Sequence, residues 1–293
     1  YVNNDSLAVF GVSIIIYSWV HANKYNWSYF NCFTLAIGVS VCALSYYNSY
    51  AWVLMSVFFF IITYLSKNKK DMKGLFKHGF FIVGIVLVLV SYAFIRHLIL
   101  YNDLLGYKAC DYYGELYALD YMRPSNRLSL SQQGYSLKQM ILDMEWVKLT
   151  YRSFIGVFGY MNAYSPKFVY DIYTALFTVS GIGLIVGEGD KLFVKKNKPE
   201  FKNVMLYLSI GVAMAITVLL SVINSYTTDF QPQGRYCYPI IIGLGLIVAK
   251  GISYIALKIQ SKPIRYALVG AFLGMLVTVT IGIYYTVFLP TAC

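Results

Sequence analysis

The chain has 293 residues, of which 58% are hydrophobic, 18% aromatic and 13% charged. That composition excludes a water-soluble globule. The net charge of +11 raises the question of a nucleic-acid partner, but the placement of the charges answers it below.

Apolar runs recur at 7–20, 30–47, 50–65, 79–100, 168–187, 204–222, 236–257 and 266–288. A helical span needs about 20 apolar residues, so the first and third depend on flanking aromatics. The pattern predicts an all-α integral membrane protein of about eight transmembrane helices. Four lie in 1–100 and four in 167–293, separated by a 66-residue segment, 101–166. Trp19, Trp27, Tyr46, Tyr47, Trp52, Tyr64 and Tyr284 fall near predicted span ends, the expected place for interfacial aromatic belts.

Eight crossings put the loops 21–29, 66–78, 188–203 and 250–265 on one side. These hold fifteen Lys and Arg against four acidic residues, while the rest of the chain carries nine of each sign. The whole positive excess sits on one face, which is the positive-inside pattern. The basic loops are therefore topology signals and no nucleic-acid partner is expected. The same register makes 101–166 and 223–235 extracytoplasmic. It also starts the chain outside, with no leader-like basic region, so further membrane segments are expected upstream of Tyr1.

Within 101–166, Ser136 to Gln139 reads as a capping box. Leu137, Met140, Ile141, Met144 and Val147 keep helical spacing, which predicts one amphipathic surface helix of about four turns. Asp103, Asp111, Glu115 and Asp120 alternate with tyrosines before it, a pattern that suits either a carbohydrate contact or an unliganded loop. The five cysteines form no CxxC pair and lie in apolar settings, which favours free thiols and no zinc site. Glycine pairs in the spans, such as Gly270 and Gly274, are expected at close helix crossings.

The densest polar signal is Asp229-Phe230-Gln231-Pro232-Gln233-Gly234-Arg235-Tyr236, between two apolar runs. Gly234 permits close backbone approach and Arg235 offers a planar fork for phosphate oxygens. Three further polar features are predicted at the same depth. They are Asp5 near the start of the first span, Arg96-His97 near the end of the fourth, and Arg152 before the fifth. Ionisable groups at membrane level gather where water or partners satisfy them, so a shared polar cavity is expected. For Asp5 alone, a helix-capping role is the simpler reading.

Asn3-Asn4-Asp5-Ser6, Ser153-Phe154-Ile155-Gly156-Val157-Phe158-Gly159 and Gln233-Gly234-Arg235-Tyr236-Cys237-Tyr238-Pro239 together resemble motifs of a group of bacterial membrane proteins. That group belongs to the GT-C clan of membrane glycosyltransferases. The resemblance implies transfer of a sugar from a polyprenyl-phosphate carrier to an envelope glycan, lipid or protein. It makes Arg235 the group that pairs with the lipid phosphate, and the expected substrate site takes in Gln233, Gly234 and Tyr236 beside it with Arg96, Arg152 and Asp5 at the same depth. It places the catalytic aspartate in a loop upstream of residue 1, leaves a divalent cation open as cofactor, and implies no other. A transporter or flippase of envelope lipids, or a non-catalytic partner of an envelope complex, is the alternative.

Overall fold

The computed structural model describes residues 4–68, 71–194 and 200–292. Helices α1 (Asn4–Tyr25), α2 (Tyr29–Ser45), α3 (Tyr50–Lys67) and α4 (Met72–Tyr101) occupy the first four apolar runs. They are followed by α5 (Tyr107–Tyr117), α6 (Leu137–Leu142), α7 (Trp146–Gly156), α8 (Lys167–Gly189), α9 (Phe201–Thr227), α10 (Ile241–Leu257) and α11 (Lys262–Ile283). Among the described residues, seven helices are long and apolar enough to cross a membrane, and the 17-residue α2 is a shorter apolar helix. The chain has the build of a helical, multi-pass membrane protein.

The chain forms two compact units. The first contains residues 1–146, 201–231 and 236–242, and the second contains 147–200, 232–235 and 243–293. In the first, α1 lies along α2, and small residues bring the two helices close. A Cβ on Gly11 would come within 2.7 Å of Cys42 Sγ, and one on Gly38 within 2.9 Å of Ile15. Ser18 Oγ lies 3.0 Å from both the carbonyl and the side-chain oxygen of Asn31. Polar pairs of this kind hold helices together where no hydrophobic drive separates helix from lipid. Asn23 donates to Asn203 Oδ1 at 2.7 Å, which ties α1 to α9.

The tryptophans depart from the expected belt. Trp19 and Trp52 are fully buried and Trp27 nearly so. Trp19 stacks on Phe59 at 4.9 Å, and Trp27 meets Phe60 edge-on at 5.0 Å. These rings fill the space between α1 and α3. Tyr284, by contrast, is 47% exposed.

The predicted four-turn surface helix is two helices. The capping box forms, with Ser136 and Gln139 each bonded to the other's backbone. The helix stops at Leu142, Glu145 takes a left-handed φ of 52°, and α7 restarts at Trp146. The break turns buried Trp146 onto Leu130 and Met140, a packing gain that a continuous helix would forfeit. The preceding segment contains α5, whose helical pattern was not anticipated, and it buries none of its residues.

In the second unit, α8 crosses α10 through glycines. A Cβ on Gly251 would sit 1.9 Å from Ser180 O, and one on Gly183 2.5 Å from Gly251 O. Gly270 and Gly274 correct the corresponding expectation, because nothing lies within 4 Å of a Cβ at either. They belong to α11, which buries no residue.

Candidate functional site

In the second unit, the last turns of α7 carry Arg152, Ser153 and Phe154, and the helix ends at Gly156. Val157 and Phe158 then pair antiparallel with Tyr164 and Ala163. Gly159 makes the turn with φ 63°, so the glycine supplies the left-handed backbone the hairpin needs. The hairpin is locked to α8: Gly156 O accepts from Ser165 Oγ at 2.8 Å and from Tyr170 OH at 2.7 Å. The Arg152 guanidinium lies over the Tyr170 ring, 5.8 Å from its centre.

Gly234 is buried against this motif. A Cβ there would be 2.0 Å from Phe154 N and 2.2 Å from Phe154 Cα. No other residue type fits without moving backbone. The two sequence motifs singled out as functional thus meet in space, and Arg152 and Arg235 flank the contact along their respective segments. Arg235 and Gln233 are half-buried. The 3₁₀ helix Gly234–Ile240 then leads into α10, so the cassette is a wound entry to that helix and not a simple turn.

In the first unit, the neighbouring residues form a polar network. Asp229 pairs with Arg127 and accepts from Gln231 Nε2 at 2.5 Å. Tyr236 OH donates to Gln231 Oε1, and Tyr236 O accepts from Asn48 Nδ2 at 2.8 Å. The Tyr236 ring stacks on Tyr46 at 5.9 Å. Asn48 is fully buried, and its own carbonyl accepts from Thr217 Oγ1 at 3.3 Å. Arg127, Asn48 and Tyr46 were not foreseen as members. The available signal was the polar Asn48-Ser49 pair between two apolar runs.

Of the other expected members, Asp5 lies close enough to Tyr46 for its charge to be felt there. Asp5 is 5% exposed in the first turn of α1, inside the helix rather than at its cap, where an anion is still favoured. Asn3 of the same motif lies outside the described residues. Arg96 is exposed on α4 and, among the described residues, makes no hydrogen bond or ion pair. His97 packs on Tyr101 at 5.9 Å.

Two cavities stand out, and neither is lined by these polar residues. One, of about 400 Å³, lies between α2, α3 and α4; the other, of about 360 Å³, lies between α8, α10 and α11. Both have apolar walls.

The carboxylates of 102–135 are largely engaged within their own segment. Asp103 accepts from the Lys108 backbone N–H at 2.9 Å, which holds its pKa below the usual value. Glu115 accepts from Ser125 Oγ at 2.9 Å, and Asp120 pairs with Arg123 at 3.0 Å. A sugar would have to displace these bonds. Among the described residues, no group of three or more His, Cys, Asp and Glu could hold a metal ion. Cys32, Cys42, Cys110 and Cys237 are free thiols, and Cys293 lies outside the described residues. Comparison with family models, curated proteins and solved structures finds no match to the chain.

Proposed function

We propose that the chain is part of a polyprenyl-phosphate-sugar-dependent glycosyltransferase of the GT-C type, acting at the extracytoplasmic face of a cell membrane. The observation that supports this reading is the seating of Gly234 on the Phe154 backbone. It makes one local structure of the two motifs that carry the resemblance, with an arginine on each segment beside the contact. Two planar guanidinium groups offer bidentate donors to phosphate oxygens and stabilise a departing lipid phosphate. Arg235 is assigned the carrier phosphate and Arg152 a supporting role. Gln233 and Tyr236 shape the segment. The donor is a polyprenyl-phosphate-linked sugar and the acceptor an envelope glycan, lipid or protein.

The reading also takes α2 as a span, giving eight, with the lysine-rich loops cytoplasmic. At 17 residues α2 is about 25 Å long, short for a full hydrocarbon core but within what local thinning accommodates.

The test is sugar transfer in membranes containing the protein, with a radiolabelled polyprenyl-phosphate sugar as donor. Arg235→Ala lowers the rate by about a hundredfold or more at unchanged protein level, and Arg235→Lys recovers part of it. Full activity in Arg235→Ala would refute the assignment.

A further inference from the structure

The 400 Å³ cavity between α2, α3 and α4 has a chemistry of its own. Its wall on α4 runs along Phe76, Phe80, Val83 and Leu87. That spacing of three and four residues is one face of a helix. Phe76 to Leu87 covers about 16 Å at the helical rise. The facing wall includes Val39 of α2 and Phe60 of α3. Ser56 is the polar side chain among the lining residues, and its hydroxyl donates back to Trp52 O at 2.7 Å. The wall thus offers water no partner, and an apolar cavity of this kind stays dry or takes hydrocarbon.

The groove has one charged end. Lys73 lies three residues before Phe76, on the stripe that continues the wall, and Lys77 follows Lys73 by one helical turn. Both are exposed, and the Lys77 ammonium lies 5.8 Å from the centre of the Tyr29 ring. Tyr29 stacks on His78 at 4.7 Å, and Tyr64 packs on the same imidazole at 5.3 Å. His78 Nδ1 donates to Gly74 O at 2.8 Å, which holds the ring in place. Asp71, the acidic group at this end, is occupied as the cap of α4, accepting from Gly74 N at 3.0 Å. Lys67, on α3, donates to the carbonyls of Ala22 and Asn23. An apolar groove that terminates in two exposed ammonium groups complements a lipid with an anionic head.

We propose that the α2–α3–α4 groove binds one hydrocarbon chain of an anionic glycerophospholipid, whose phosphate pairs with Lys73 and Lys77. The site is independent of the Arg235 assignment. It sits along the half of α4 that follows the α3–α4 connection, whereas Asn48 and Tyr46, which meet the cassette, lie at the opposite end of α3.

The test reconstitutes the protein in vesicles of equal phosphatidylglycerol and phosphatidylcholine, extracts it gently, and counts retained lipids by native mass spectrometry. The wild type retains one phosphatidylglycerol in preference to phosphatidylcholine. Lys73→Gln with Lys77→Gln, both at exposed positions, removes about thirtyfold of that preference, about one kcal/mol per charge. Gly79→Leu, which fills the groove beside Phe60, removes the retained lipid at an unchanged melting temperature. Equal retention of the two lipids by the wild type would overturn the proposal. So would unaltered preference in the double variant, or unaltered retention in Gly79→Leu.

Discussion

Helices α1 and α11 are each 22 residues long, and they behave in opposite ways. The α1 span has a mean hydropathy of 1.4 and is half buried; the span containing α11 reaches 2.1 and has none of its residues buried. The more apolar helix is the one outside the core. In water that ranking would be reversed, but lipid is as apolar as leucine, so an apolar face gains nothing by leaving it for the core. The buried face of α1 instead carries Gly11, Ser18, Trp19 and Asp5. These are residues that pack tightly or need a polar partner.

The contrast breaks most sharply at the large side chains. Trp19→Ala leaves a cavity beside Phe59 and Trp52 and costs about 3–5 kcal/mol. Leu273→Ala on α11, 56% exposed, costs less than about 0.5 kcal/mol. Thermal unfolding of the detergent-purified protein separates the two, and equal shifts would dissolve the distinction.

Glycine gives the next largest effect, with opposite sign on the two helices. Gly11→Ala drives a methyl into Cys42, whose backbone nitrogen is only 3.0 Å from the added carbon, and costs about 1–3 kcal/mol. Gly270→Ala meets nothing and gains up to about 1 kcal/mol from helix propensity. The same melting experiment reads both.

The smallest effect lies at the turn leading into α11. Lys258 bonds to Tyr254 and to Asp190, the latter at 2.9 Å, and these partners raise its pKa from 10.5 to about 12. A raised folded-state value means a stabilisation that is complete below pH 10.5 and lost as pH rises through about 12. Because the lysine is exposed, the loss is small. Asp190→Asn should lower this titration toward the ordinary lysine range, measured by NMR of a labelled lysine. An unmoved titration would remove Asp190 from its causes.

Periodicity and length located every long helix, because a run of apolar residues in lipid has to satisfy its backbone internally and only a helix does so within one segment. The capping box at Ser136 was legible for the same local reason: both partners lie within one turn. The break at Glu145 was not, since it follows from where Trp146 finds Leu130 and Met140. Of the candidate site, the importance of Gly234 could be read from its place beside Arg235. Its contact with Phe154, some eighty residues earlier in the chain, could not.

By itself the sequence determined the membrane-spanning helical class and the polar cassette around Gly234 and Arg235 between two apolar runs. Both depend on local composition acting against water or lipid. Only the tertiary structure decided which apolar faces became core, that the tryptophans lie inside, and that Gly234 touches the Phe154 backbone. Those outcomes depend on shape complementarity between segments far apart in the chain, to which hydropathy is blind when the solvent is as apolar as the protein.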